Sequence, residues 1–269
     1  MKHVGVVGCG TMGNAIARSL QVPTVVYDLS ASATAPLAAY EHISVASSLA
    51  ELLQRCDTIL LAVKPQTLPA LYEELAAYKR TWVSIAAGIN LAELTRSLES
   101  ENVVRLMPNI GASVQQSVTA LAAAPGCSPR AIEAATALAK SFGVVVPIAE
   151  SLFSAFIGIS GSAIAYMLLF IHALTEGGVA EGISSAVASE IVTETLQSTI
   201  ALLKTGKKSP AALAASVCSE GGTTIEGVRV LEADNFHETV LKAVHAASDK
   251  SKRMEAQRRT HTENEEEDD

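Results

Sequence analysis

The first 150 residues alternate between short apolar runs and longer amphipathic stretches. A continuous apolar run such as Asp57–Val63, DTILLAV, is typical of a parallel strand that is buried on both faces. Strands that alternate with helices indicate an α/β fold with a doubly wound sheet, which we predict for residues 1–150. The predicted strands are Val4–Val7, Val25–Asp28, Ile43–Ala46, Asp57–Val63, Thr81–Ala86, Asn102–Leu106, Val118–Ala123 and Val144–Pro147, and the predicted helices are Ser48–Arg55, Gln66–Tyr78, Leu91–Leu98 and Pro129–Phe142.

From Ser151 to about Ala256 the periodicity is helical almost throughout. The helix Ala163–Val179 is apolar nearly all round, so it must be covered on several sides. A domain of about a hundred residues has little core of its own to provide that cover, so we predict that a second subunit supplies it. We therefore predict an all-helical C-terminal dimerisation domain over residues 151–258 and an acidic disordered tail over 259–269. Further helices are predicted over Ser184–Leu203, Pro210–Val217, Ile225–Glu232 and Phe236–Gln257.

The formal charge of -8 comes mostly from six acids near the C-terminus, which leave -2 for the rest of the chain. No basic stripe with interleaved aromatic residues occurs, so we do not expect nucleic-acid binding. No apolar run reaches the length of a membrane span, since Ala163–Leu174 is short and contains His172. The start has no leader-like segment, and the four cysteines lack metal or disulfide spacing. We expect a soluble cytoplasmic protein without a metal site.

Three glycines follow the first predicted strand in the pattern G-x-G-x-x-G. In such a turn Gly8 permits the tight bend, Gly10 admits the pyrophosphate and Gly13 packs the helix against the strand. The phosphates would lie at the positive helix N-terminus. Asp28 ends the second strand, where a dinucleotide fold holds the adenosine ribose hydroxyls. These residues indicate a Rossmann-type dinucleotide-binding domain, and a glycine turn that serves packing alone is the alternative.

Two further loops follow predicted strands at their carboxyl ends. Lys64-Pro65 ends the run Asp57–Val63, and Met107-Pro108-Asn109 ends the strand Asn102–Leu106. Ligands of open parallel sheets bind outside the carboxyl ends of the strands, so Lys64 is placed to contact cofactor or substrate. A solvated lysine at the end of a strand is the alternative.

A second group of polar residues is Ser219-Glu220-Gly221-Gly222-Thr223-Thr224, directly before a predicted helix. Glycines and hydroxyl residues at a helix start expose backbone N–H groups and short donors at the positive helix end. The sequence therefore predicts a site for a small carboxylate, and a hydroxyl-rich helix cap without a ligand is the alternative.

The motifs VGCGTMG, AVKPQ, VRLMPN, SGS before the long helix and SEGGTTIEGVRVLE make the chain resemble pyrroline-5-carboxylate reductases over residues 2–254. The resemblance implies a Rossmann domain, a helical domain that forms an interlocked homodimer or an oligomer of dimers, and hydride transfer from NADH or NADPH to a cyclic imine. That reaction is the last step of proline synthesis.

The resemblance also implies roles for individual residues. Thr224 would lie beside the imine nitrogen, and Ser219 and Lys64 complete the predicted catalytic set. The substrate would contact Ser219, Gly222, Thr223 and Thr224. The cofactor would contact Gly8, Gly10, Thr11, Met12, Gly13, Asp28, Val63, Lys64, Pro65, Met107, Pro108 and Asn109.

The chain departs from the family pattern at Ile110, Gly111, Ala163, Ile164 and Glu220. Glu220 replaces the usual proline, and we expect it to face solvent because an inward carboxylate would weaken binding of an anionic substrate. We also predict a preference for NADH. Many relatives follow the second strand with residues suited to a 2′-phosphate, whereas Asp28 would repel that group.

Two other classes of protein remain open. The first is a reductase of another small keto or imino acid, such as the β-hydroxyacid dehydrogenases, which use a lysine on the long interdomain helix that Ala163–Val179 lacks. The second is a non-catalytic dinucleotide-binding protein.

Overall fold

The computed structural model describes residues 3–267, with side chains as far as Gln257. Eight strands form one sheet: β1 (Val4–Val7), β2 (Thr24–Tyr27), β3 (Ile43–Val45), β4 (Thr58–Leu61), β5 (Thr81–Ser84), β6 (Val103–Met107), β7 (Ser117–Ala123) and β8 (Gly143–Pro147). Their order is β3-β2-β1-β4-β5-β6-β7-β8. The crossover at β1 between β2 and β4 is the arrangement of a doubly wound sheet, which confirms the predicted fold class.

Two strands, β7 and β8, run against the other six. β6 and β7 pair antiparallel, whereas the remaining neighbours pair parallel. Only a 3-10 turn, Ile110–Val114, joins these two strands, and so short a connection cannot make a parallel crossover. The apolar pattern of β7 predicts a strand but not its direction.

Helices cover both faces of the sheet: α1 (Thr11–Ser19), α2 (Ala31–Thr34), α3 (Leu49–Arg55), α4 (Tyr72–Ala76), α5 (Leu91–Ser97), α6 (Pro129–Lys140) and α7 (Phe153–Ile159). On one face, α1 and α6 bury side chains such as Ile16 and Leu138 in a single apolar cluster. On the other face, α3, α5 and α7 bury Leu52, Leu94 and Phe153 in a second cluster. The helix predicted over Gln66–Tyr78 is shorter because Pro69 starts a 3-10 turn ahead of α4.

The C-terminal part of the chain is helical. Its helices are α8 (Ala163–Ala180), α9 (Ser185–Lys204), α10 (Pro210–Val217), α11 (Thr223–Ala233) and α12 (Phe236–Glu267). The chain forms two compact units, of which the second is Ser162–Ala246 and the first contains the remaining described residues. The first unit extends past residue 150 because α7 buries Phe153 and Phe156 in the core of the sheet. The predicted domain limits, 1–150 and 151–258, stay a prediction.

The last helix, α12, includes most of the acidic C-terminal segment. α12 continues to Glu267, because residues 236–267 contain neither glycine nor proline. The backbone of the segment predicted as a disordered tail, 259–269, is thus helical as far as residue 267. Its side chains and residues 268–269 lie outside the described part of the chain.

Within the second unit, α8 packs on α9 through Gly178 and Ala188, and Tyr166 donates a hydrogen bond to the Ala243 carbonyl on α12. Much of α8 remains exposed in the single chain. The exposed apolar side chains of α8 are Met167, Leu168, Leu169, Phe170, Leu174 and Val179. Exposed apolar surface of this extent is typical of a protein–protein interface.

Within the helical stretch Glu150–Ala180, a window of 18 residues has a mean hydropathy of 1.9. Among the described residues this stretch is the one helix long and apolar enough to cross a membrane by length and composition. The expectation that no stretch reaches that length is therefore wrong, because the helical stretch begins at Glu150, well before Ala163. A core or interface helix of a soluble protein has the same length and composition, so this property alone assigns no membrane span.

A buried arginine joins three elements of the first unit. Arg105 on β6 is 1% exposed and lies 5.0 Å from the Phe153 ring centroid. Its guanidinium donates to Glu150 over 2.9 Å and to Glu255 of α12 over 3.3 Å, while Nε has no partner among the described residues. Glu150 also accepts the backbone N–H of Leu91 at the start of α5. This cluster attaches the turn of α12 around Glu255 to β6, the strand that ends at Met107.

Candidate active site

The glycine turn has the geometry that its spacing predicts. Gly8 has a φ of +95°, and a Cβ there would lie 2.7 Å from the backbone of Val63. A Cβ on Gly13 would collide with the Gly8 carbonyl oxygen. Both positions therefore require glycine, the first for its backbone conformation and the second for the close packing of α1 on β1.

Gly10 is different, because a Cβ on it would meet no atom within 4 Å. Gly10 is also the N-cap of α1, and no side chain caps that helix. The first N–H groups of α1 therefore face open space at a positive helix end, which suits a diphosphate. The residues present thus fit a dinucleotide cofactor.

Asp28 follows β2 and lies beside the glycine turn. Its Oδ2 accepts the backbone N–H of Cys9 over 2.7 Å, and its Oδ1 accepts that of Ser30 over 2.8 Å. One carboxylate therefore orders both loops, while each oxygen keeps a lone pair for a further donor such as a ribose hydroxyl.

Cys9 is buried within the turn. Burial, and to a smaller extent the Asp28 carboxylate, raises the pKa of the Cys9 thiol to about 12. The thiol is therefore protonated at physiological pH, so Cys9 is a packing residue and not a nucleophile.

A cleft of about 470 Å³ runs from the glycine turn along the flank of α1. Its walls include Thr11, Asn14 and Arg18 of α1, Ser32 of α2 and Gln115 after the 3-10 turn. The sequence pattern did not predict this cleft, because α2 and the 3-10 turn reach α1 only in the folded chain.

The loops after β4 and β6 differ in accessibility. Lys64 is exposed, and its ammonium group makes no bond to any described residue. Asn109 is buried and donates from Nδ2 to Ser160 Oγ over 3.1 Å, while its Oδ1 accepts the N–H of Gly111. The Asn109 side chain therefore orders its own loop, and its predicted contact with the cofactor stays a prediction, as do those of Val63, Pro65, Met107 and Pro108.

The second polar group, Ser219–Thr224, precedes α11 in the second unit. Gly222 is the N-cap of α11 without a side-chain cap, and a Cβ on it would lie 2.5 Å from Ser219 Oγ. Glycine at this position thus lets the Ser219 hydroxyl approach the helix N-terminus. The hydroxyls of Ser219, Thr223 and Thr224 are exposed and have no partner among the described residues.

This arrangement can bind an anion. Three free hydroxyls lie just before or within the first turn of α11, at a positive helix end, where a carboxylate would accept hydrogen bonds. Glu220 is exposed in the single chain. The substrate-binding roles of Ser219, Gly222, Thr223 and Thr224 stay a prediction.

The doubly wound sheet, the open glycine turn and Asp28 define a dinucleotide-binding protein with a Rossmann-type domain. Residues 3–88 match the family model "NADP oxidoreductase coenzyme F420-dependent", and residues 150–254 match "Pyrroline-5-carboxylate reductase dimerisation". The pyrroline-5-carboxylate reductase of Aquifex aeolicus is 33% identical over 257 residues, which cover 94% of this chain and 97% of that protein.

Two solved structures of similar proteins agree with this comparison. The 1-pyrroline-5-carboxylate reductase of Streptococcus pyogenes has a TM-score of 0.84 and 33% identity, with coverage of 93% of this chain and 98% of that one. The Plasmodium falciparum pyrroline carboxylate reductase with NADP bound has a TM-score of 0.83 and 28% identity, with coverage of 94% and 98%. The chain belongs to the pyrroline-5-carboxylate reductase family.

Proposed function

We propose that this protein is a pyrroline-5-carboxylate reductase, which reduces the cyclic imine to L-proline with NADH or NADPH. The observation that carries the proposal is the Ser219–Thr224 loop, whose free hydroxyls lie at the uncapped N-terminus of α11, within the segment that matches the dimerisation model. The open turn at Gly10 on the same chain supports a dinucleotide as hydride donor.

Each group of residues has a separate role in this proposal. The α1 N-terminus would hold the cofactor diphosphate, and Asp28 would accept bonds from ribose hydroxyls. The reduced nicotinamide supplies the hydride. Ser219, Thr223 and the α11 N–H groups would hold the substrate carboxylate, while the Thr224 hydroxyl would donate a hydrogen bond to the ring nitrogen as it becomes an amine. Lys64, exposed after β4, is the predicted third catalytic group.

The direct test is a steady-state assay of the purified protein with pyrroline-5-carboxylate and each reduced nicotinamide. Turnover to L-proline is expected. Binding of the cofactor without turnover would favour the non-catalytic alternative, and turnover of a different imino or keto acid alone would favour another reductase. α8 contains no lysine, which disfavours the β-hydroxyacid dehydrogenase type of site.

The finer proposal on the cofactor is a preference for NADH. A 2′-phosphate about 4 Å from the Asp28 carboxylate would be disfavoured by about 1–4 kcal/mol. Asp28→Ser is expected to raise the ratio of kcat/KM for NADPH to that for NADH at least several-fold. Asp28→Asn is the matched variant of nearly the same shape. It removes the charge but keeps one oxygen for a backbone N–H, so it separates the effect of the charge from that of side-chain shape. A wild-type preference for NADPH that neither variant changes would contradict this role of Asp28.

We further propose that the helical domain forms the contact of a homodimer. Leu169 is 67% exposed on α8, and a charge at that position would be buried without a partner in such a contact. Leu169→Glu is expected to give a monomer in light scattering of the full chain. Val144→Glu, on an equally exposed valine of β8, is the control and should leave the dimer intact. A dimeric Leu169→Glu variant with a monomeric Val144→Glu variant would place the contact on the sheet instead.

The cytoplasmic location stays a proposal as well. It rests on the expected dimer, which would cover the exposed apolar side chains of α8. Fractionation of expressing cells is expected to recover the full chain in the supernatant after membranes are pelleted, and recovery in the membrane pellet would contradict it.

A further inference from the structure

The loop before α11 is a tight turn with Glu220 at its second position. The Gly222 N–H donates to the Ser219 carbonyl over 3.0 Å. Gly221 has a φ of +71°, and Glu220 is not among the residues with positive φ. A negative φ at the second position and a positive φ at the third are the signature of a type II turn. The turn therefore fixes the Glu220 backbone directly after Ser219.

The charge of Glu220 is not neutralised within the described part of the chain. Glu226, in the first turn of α11, forms an ion pair with Arg229 over 2.6 Å. Glu220 has no such partner among the described residues, and it is exposed. An unpaired carboxylate therefore follows directly on Ser219 in the chain, within the loop that we propose for the substrate carboxylate.

We propose that Glu220 is a specificity-determining residue that selects zwitterionic ring amino or imino acids over simple anions of the same shape. A ligand with a charge of −1 is repelled by the Glu220 carboxylate, whereas the cationic nitrogen of a zwitterion offsets that repulsion. The inference rests on the proposed substrate-binding role of the Ser219–Thr224 loop. The charge of Glu220 would discriminate between zwitterions and monoanions, and the type II turn would hold that residue beside Ser219.

The test compares two ring carboxylates that differ in net charge. L-proline is a zwitterion, and cyclopentanecarboxylate is a monoanion of similar shape. Their Kd values would be measured by calorimetry on the full chain saturated with oxidised cofactor. Glu220→Gln is expected to lower the Kd of cyclopentanecarboxylate about three- to tenfold, for charges roughly 7 Å apart at a surface, and to change that of L-proline by less than about twofold.

Salt and a second variant separate charge from backbone effects. At 1 M salt, where the Debye length is about 3 Å, the difference between wild type and Glu220→Gln should nearly vanish. Glu220→Pro removes the charge and also presets the backbone of the turn, so it should tighten both ligands by a further factor of roughly two to five. Glu232→Gln, in the last turn of α11, is the matched control and should change neither Kd.

An unchanged ratio of the two Kd values in Glu220→Gln would overturn the proposal. The same holds if Glu220→Pro tightens both ligands equally while Glu220→Gln has no effect, since only the backbone would then matter. These binding measurements need no turnover. A chain that shows the predicted charge selectivity but does not reduce pyrroline-5-carboxylate would therefore refute the proposed reaction and leave the role of Glu220 intact.

Discussion

Replacement of both Glu150 and Glu255 by alanine is expected to lower the free energy of unfolding by about 3–5 kcal/mol. Arg105 is 1% exposed, so the double variant leaves a buried guanidinium without a counter-charge. Loss of the Glu150 bond to the Leu91 N–H at the start of α5 adds to this effect. Urea denaturation of the full chain, followed by circular dichroism, measures the change.

The control for this prediction is an exposed ion pair. Lys242 and Glu238 lie 3.7 Å apart on α12 with both side chains largely exposed, so Lys242→Ala should change the free energy of unfolding by less than about 1 kcal/mol. Addition of Arg105→Met to the double variant removes the unpaired charge and should recover at least about 2 kcal/mol. A double variant as stable as wild type would mean that water solvates Arg105 in the folded protein.

Thr224→Ala is expected to lower kcat/KM for pyrroline-5-carboxylate about ten- to a hundredfold. The Thr224 hydroxyl is free in the first turn of α11. If it donates to the ring nitrogen of the bound substrate, its loss leaves that nitrogen without a partner, which corresponds to about 1–3 kcal/mol. Steady-state kinetics at saturating NADH measures the change.

Thr224→Ser is the matched variant for Thr224→Ala, because it keeps the hydroxyl and removes only the methyl group. It should retain activity within about threefold of wild type, since one methyl contributes little at an exposed position. The KM for NADH should be unchanged in both variants. Wild-type kcat/KM in Thr224→Ala would exclude the hydroxyl from catalysis, and equal losses in both variants would indicate a packing role instead.

The sequence determined the parts of this protein whose geometry is local. Gly8 and Gly13 specify the turn, because the positive φ of the first and the close backbone approach at both exclude any side chain, whereas Gly10 leaves the start of α1 open. The apolar runs of the strands and the hydroxyl-rich start of α11 were likewise readable, since neighbouring residues decide them. The resemblance to the pyrroline-5-carboxylate reductase family, confirmed by the comparisons, rests on these same local motifs.

The tertiary structure decided what depends on residues far apart in the chain. It brought the Asp28 carboxylate to the Cys9 N–H, tied Asn109 to Ser160, and paired Arg105 with Glu255, which lies 150 residues away. Neither periodicity nor composition carries such pairings, because they arise when whole elements pack and each buried polar group must find a partner. For the same reason the sequence predicted that α8 needs a cover, while the extent of its exposed apolar surface became visible only in the folded chain.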